Sequence, residues 1–202
     1  MADRHNHYEA AFEAYLRNLR VPYIAVNESR RSLLPEGRSL KSLDFIVPSP
    51  GPTVWLIDVK GRRFPTGQKT IQYWTNWCTK EELESLEQWE QMFGPSFRGL
   101  LVFAYWIVGQ RKPLPEEQIF FFREQMYAFL GIPLLDYQAS SRQRSRRWQT
   151  VTIPVSEFRS RTHPVHEFLG RSWPPGLLLP TASSPSGADC SANSEQATAD
   201  FL

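Results

Sequence analysis

A chain of 202 residues has room for one domain with a sizeable core and some appendages. The formal net charge is +2, with −2 carried from residue 171 onward and +4 on residues 1–170, so charge alone does not mark a polyanion binder. Two distant cysteines, Cys78 and Cys190, exclude a disulfide framework and a zinc pattern, and the longest apolar run, LLVFAYWIV, is too short to span a bilayer. The opening MADRHNHYEA has no apolar signal core. A reducing cytoplasm is the expected location.

The predicted elements run as follows. Residues 5–19 read as a helix, with Phe12, Tyr15, Leu16 and Leu19 forming an apolar stripe at three- and four-residue spacing. Glu9 and Glu13 are four apart and share one face of it. Residues 21–27, VPYIAVN, read as a first strand. A basic loop, ESRRSLLPEGRSLK, then carries Arg30, Arg31, Arg38 and Lys41.

Two short apolar segments follow, SLDFIVPS and TVWLIDVKG, and both look like buried strands bounded by turn residues. A Pro-Gly turn at Pro50–Pro52 makes them antiparallel neighbours. Each carries a carboxylate, Asp44 and Asp58, where a charge is costly unless something pairs with it. Asp58 and Lys60 are two apart, so they point to the same face of their strand. Carboxylates and a strand carbonyl suit a hard cation, which polarises a phosphoryl group and acidifies bound water. Lys60 is expected to orient that water or to stabilise developing charge, with its own pKa depressed by the cation.

Thr79 and Glu82 form a capping box that opens the helix TKEELESLEQWEQMF, closed by Gly94, with Leu83, Leu86 and Phe93 on the inner face. Residues 97–108 read as a central buried strand. IFFFRE and WQTVTIP read as further strands, and SEFRSRTHPVHEFL as a broken helical segment opened by Ser156. The tail from about Ser172 is rich in Pro, Ser, Ala and Gly, and reads as disordered. The fold class is α/β, a mixed central sheet flanked by helices with a C-terminal strand and helix extension. Residues 1–170 form the domain and 171–202 the tail.

The order Glu9, Asp44, then Asp58-x-Lys60 resembles the PD-(D/E)XK nuclease superfamily, above all its small Holliday-junction-resolvase-like members. The resemblance covers roughly residues 1–108. Leu43 stands where the superfamily's name-giving proline would be. The segment HYEAAFE at residues 7–13 also resembles a group of uncharacterised bacterial proteins named for an HYExAFE motif. The superfamily resemblance implies a restriction-endonuclease-like core and hydrolysis of DNA phosphodiesters, in repair, recombination or defence. It implies Mg²⁺, with Mn²⁺ as a substitute, held by Asp44, Asp58, the Val59 carbonyl and Glu9. It also implies catalytic roles for Glu9, Asp44, Asp58 and Lys60, DNA as partner, and a homodimer. The basic loop, Arg30, Arg31, Arg38 and Lys41, is expected to approach the DNA backbone.

Arg142, Arg144, Arg146 and Arg147 form a second basic cluster ahead of Trp148. Arginine pairs bidentately with phosphate, although a solvated surface explains such a run as well. Trp148 reads as packed in the strand it begins, and Trp74 and Trp77 as core or hairpin packing. His5 is four residues before Glu9, a candidate metal or proton-transfer partner, with His7 a weaker one. His163 and His166 read as late surface residues. Two other functions fit the same residues. One is a nucleic-acid binder on this fold that has lost catalysis. The other is a protein interaction module whose strand carboxylates are merely salt-bridged to Lys60 or arginines.

Overall fold

The computed structural model describes residues 6–27, 32–33, 39–65, 74–108 and 118–172. His5, Arg30, Arg31, Arg38 and the tail from residue 173 lie outside the described residues. In chain order the elements are α1 (His7–Asn18), β1 (Ile24–Ala25), β2 (Ser32–Leu33), β3 (Ser39–Leu40), β4 (Phe45–Pro48), β5 (Val54–Phe64), β6 (Cys78–Thr79) and α2 (Lys80–Phe93). There follow β7 (Phe97–Ile107), β8 (Phe120–Phe122), β9 (Gln125–Pro133), α3 (Leu134–Ser140), β10 (Arg142–Ser145), β11 (Thr150–Thr152), α4 (Val155–Arg161), β12 (His163–Pro164) and α5 (Val165–Phe168).

The main sheet has the order β1-β4-β5-β7-β9-β12, with β8 added to β9. β4 and β5 are antiparallel, as the Pro-Gly turn requires, and β5 and β7 are parallel. A parallel pair needs a crossover connection, and α2 is that crossover. β7 is buried almost throughout, because it lies mid-sheet and both of its faces are covered.

The side-chain alternation of β5 divides the core in two. Ile57 and Val59 face α1, where Phe12, Leu16, Val102 and Phe129 complete one cluster. Leu56 and Phe64 face the other way, toward Leu83 and Leu86 of α2, Tyr137 of α3 and Phe158 of α4. The sheet is thus sandwiched between helices, the architecture expected. The apolar stripe of α1 is buried as predicted, from Phe12 to Leu19. Five residues of HYEAAFE have distinct seats. His7 bonds Tyr127 Oη at 2.8 Å, the Tyr8 ring lies where a Cβ on Gly61 would be, and Ala11 and Phe12 are core. Glu13 pairs with Arg17 at 2.7 Å and accepts the Tyr23 hydroxyl at 2.8 Å.

Several expectations needed correction. α1 starts at His7, capped by the Asn6 side chain. The first strand shrinks to two exposed residues on the sheet edge, Ile24 and Ala25, paired with Ile46 and Phe45, and the next residue, Val26, donates its N–H to the Asp44 carbonyl at 2.9 Å. Phe93 is 40 % exposed at the end of α2, packed at a tilt against Trp89 and Phe97 instead of buried inside. The segment after residue 155 is a broken helix, but Ser156 does not open it: Pro154 is the cap residue, with no side-chain cap bond. His166 is half-buried, hydrogen-bonded through Nδ1 to Tyr15 Oη at 3.2 Å. β9 and α3 went unread, since QMYAFLGIPLL is one apolar run in which strand and helix share a composition. The capping box at Thr79 and Glu82 and the closure at Gly94, with φ +100°, are both present.

Candidate active site

The site is built at the place where β4 stops and β5 continues. The antiparallel register ends at Phe45↔Ile57, so β5 from Asp58 onward is paired only on its β7 side. Asp44, one residue before β4, takes over the open edge: its Oδ2 accepts the Val59 N–H at 2.5 Å. In a strand the N–H and C=O of one residue point to the same side, so the Val59 carbonyl faces this open edge as well. Asp58 and Lys60 project from the same face of β5 toward α2. Glu9 reaches the edge from α1, on the other side of the sheet.

Glu9, Lys41, Asp44, Asp58, Lys60 and Glu82 all line one cavity of about 280 Å³. Glu9 and Asp44 are buried, and Asn6 Nδ2 donates to Glu9 Oε1. Of the two candidate helix glutamates, Glu9 therefore borders the cavity, while Glu13 is engaged with Arg17 and Tyr23. The Lys60 ammonium sits between two carboxylates, 2.7 Å from Asp58 Oδ2 and 3.0 Å from Glu82 Oε1.

Electrostatics follow from that arrangement. Burial pushes the Asp58 carboxyl above its ordinary range, against the pull of Lys60. Burial alone would lower Lys60, but Asp58 and Glu82 outweigh it and hold the ammonium well above the usual lysine range. The depressed Lys60 expected from the sequence presupposes a metal neighbour, whereas the neighbours here are anions. Burial also pushes Glu82 up. Lys60, the Thr79 N–H and Lys41 together reverse this and hold Glu82 at about 2.

Glu82 is the site residue that sequence reasoning missed. In the sequence it presents itself only as the N3 member of a capping box. One of its oxygens does accept the Thr79 N–H at 2.7 Å, but the other bonds Lys60. The signal was the position of a second carboxylate on the helix that crosses over from the Asp58 strand. Lys41 was expected in a free basic loop. It is instead moored to α2: its ammonium lies 3.4 Å from Glu81 and 3.7 Å from Glu82, and its carbonyl accepts the Trp89 indole N–H at 2.8 Å. His7 is turned away toward Tyr127 and does not border the cavity.

The second basic cluster forms a hairpin. β10 and β11 pair antiparallel, and β11 pairs in turn with β6. Arg142 pairs with Glu157 at 3.2 Å. The Arg144 and Arg62 guanidinium groups lie over the Trp77 ring, at 5.3 and 4.3 Å. Trp148 is not packed in the strand: it sits in the turn, 67 % exposed, with the Arg147 guanidinium 5.1 Å from its ring centre. Trp74 is buried against Phe64 and Tyr105, as expected.

The donor set suits a hard cation in kind: carboxylate oxygens and one strand carbonyl on an open edge. Among the described residues, no three metal-binding side chains are gathered tightly enough to form a ready-made ion cluster. Asp58 Oδ2 is engaged by Lys60, so a cation there would bind in competition with an ammonium.

No family model matches the chain, and no curated protein matches it. Among solved structures, the chain is similar to a Holliday junction resolvase from the archaeal hyperthermophile Archaeoglobus fulgidus. Sequence identity is 16 %, the match covers 81 % of this chain and 98 % of that one, and the TM-score is 0.49. Among the described residues no helix is long and apolar enough to cross a membrane.

Proposed function

We propose that this chain is a divalent-metal-dependent deoxyribonuclease of the PD-(D/E)XK kind. One observation carries the reading: Glu9, Asp44, Asp58 and Lys60 come from a helix, a strand entry and a strand, and border one cavity at an open sheet edge. Asp44, Asp58 and the Val59 carbonyl would hold Mg²⁺ or Mn²⁺, with Glu9 completing the oxygen set. When bound, the ion supplies Lewis-acid polarisation and an acidified water. Lys60 keeps its proton between Asp58 and Glu82, so its part is that of a fixed positive charge beside the phosphoryl oxygens. Arg30, Arg31, Arg38, Lys41, Arg142, Arg144, Arg146 and Arg147 would engage DNA phosphates. The expected homodimer rests on the resemblance alone.

Labelled duplex, nicked, tailed and branched DNA, each incubated with Mg²⁺, Mn²⁺ or EDTA, tests the reading. Cleavage in either metal and none in EDTA is expected. Asp58→Ala and Lys60→Ala should each lower the rate at least about a hundredfold, as removing a group that stabilises transition-state charge does. Lys60→Ala should leave DNA binding largely intact. Variants that cut at the parental rate would remove these roles.

A second reading is favoured by the Lys60 ion pairs with Asp58 and Glu82. These charges would then be structural, on a protein that binds nucleic acid or another protein without cutting. That reading expects DNA binding or none, no cleavage in any metal, and a lowered melting temperature for Lys60→Ala.

A further inference from the structure

The cleavage chemistry leaves the exposed indole of Trp148 unused. Trp148 is 67 % exposed on the turn, with the Arg147 guanidinium 5.1 Å from its ring centre, so the indole and a cation are presented together to solvent. The turn spans residues 146–149 between β10 and β11, and it is firmly seated. The Gln149 carbonyl accepts the backbone N–H of Lys80, the first residue of α2, at 2.9 Å. Thr150 pairs with Thr79, and the buried Asn76 side chain clamps Ile153 through both its backbone N–H (3.1 Å) and its carbonyl (3.0 Å). From this tie the path to the cleft is short. Thr79 bonds Glu82, and Glu82 bonds Lys60. Trp148 therefore stands at the same end of α2 as the candidate active site.

Its surroundings are cationic and aromatic. Arg147 lies over the Trp148 ring, and Arg144 of β10 and Arg62 of β5 lie over Trp77, the residue before β6. Arg142, Arg144, Arg146 and Arg147 fall within six residues. Guanidinium groups bond phosphate, and an indole stacks on a base face. A base inside a duplex is already stacked on both faces, whereas each nucleotide of an unpaired stretch has a face to offer this ring.

We propose that the β10–β11 turn is a stacking platform for an unpaired stretch of DNA, with Trp148 on a base and Arg146 and Arg147 on the flanking phosphates. The substrate class of the cleft is then DNA with unpaired bases beside the scissile bond: a tail, a flap or an open branch. This inference rests on the DNA reading of the site, but not on its catalysis.

The test is equilibrium binding in EDTA, so that turnover is absent, to a labelled blunt duplex and to the same duplex carrying an unpaired tail. The wild-type protein should prefer the tailed DNA. Trp148→Ala should bind the tailed DNA on the order of tenfold more weakly and leave blunt-duplex affinity unchanged. Trp148→Phe should retain most of the preference, since a phenyl ring still stacks. Arg146→Ala and Arg147→Ala should weaken the tailed DNA more than the blunt duplex and each lower the salt slope for the tailed form by about 0.7. Trp148→Ala binding both DNA forms at wild-type strength, or losing affinity equally for both, would overturn the proposal. If no metal supports cleavage while the Trp148 effect holds, the nuclease reading fails and the platform stands. Cleavage with no Trp148 effect has the opposite meaning.

Discussion

Gly61 shows how a single position ties the sheet to the site. It lies on β5 just after Lys60, and a Cβ there would overlap the ring of Tyr8. Tyr8 is the neighbour of Glu9 on α1, so the absence of a side chain at residue 61 sets how closely the helix carboxylate approaches the strand. Gly61→Ala is expected to destabilise the fold by about 1–3 kcal/mol, the usual range for an overpacked contact. On the nuclease reading it should also displace Glu9 and reduce cleavage. Denaturant unfolding of the variant checks the first part, and a change under about 0.5 kcal/mol would show that α1 yields freely.

The element that organises the cleft is α2, which caps itself and holds Lys60 with the same glutamate. Thr79→Ala removes the side chain that accepts the Glu82 N–H at 3.2 Å, and should cost about 1 kcal/mol. Glu82→Gln keeps an oxygen for the Thr79 N–H but loses the charge facing Lys60. It should alter the cleavage rate more than the melting temperature, and Thr79→Ala should do the reverse. Thermal melts and single-turnover rates of both variants separate the two roles. Just before α2, Cys78 is buried, and burial pushes its thiol up to about 12. The thiolate is the nucleophile, so Cys78 in a Cys190→Ser background should resist iodoacetamide at pH 8 and react only on unfolding. Rapid labelling of the native protein would place this segment in exchange with an open form.

Across the whole molecule, buried tyrosines set an alkaline limit. Burial raises the phenols of Tyr15, Tyr105 and Tyr137 above the usual 10.0. Tyr105 donates to the Thr75 carbonyl at 3.0 Å and Tyr137 to the Asn76 carbonyl at 2.7 Å, so each also fixes the segment leading into β6. Below pH 10 both folded and unfolded chains keep these protons, and their stabilising contribution is fully present. Above pH 10 the unfolded chain releases them first, so stability falls as pH rises toward the folded-state values. Melting temperature should be flat in this respect from pH 8 to about 9.5 and drop steeply beyond. Absorbance at 295 nm should show a tyrosine class that ionises only with unfolding. A smooth titration of all tyrosines near pH 10 with the fold intact would contradict the burial.

Local signals in the chain sufficed for the elements with strong patterns. These were the amphipathic α1, the capped α2, the hairpin of β4 and β5, and the long buried β7. Periodicity, caps and turn residues act over a few positions and are legible in one sequence. The pairing of Asp58 with Lys60 on one face follows from the two-residue repeat of a strand, and the choice of Glu9, Asp44, Asp58 and Lys60 drew on a motif order. Their shared cavity, however, depends on where β4 ends and how α1 crosses the sheet, which are properties of packing. Glu82 entered the site only through the crossover of α2, and Lys41 left its loop only through Trp89 and the glutamates of that helix. The exposure of Trp148 was equally hidden, because a tryptophan beside a strand is the same residue whether it faces core or water. Partners separated by tens of residues leave no trace in local spacing, and the tertiary fold alone brought them together.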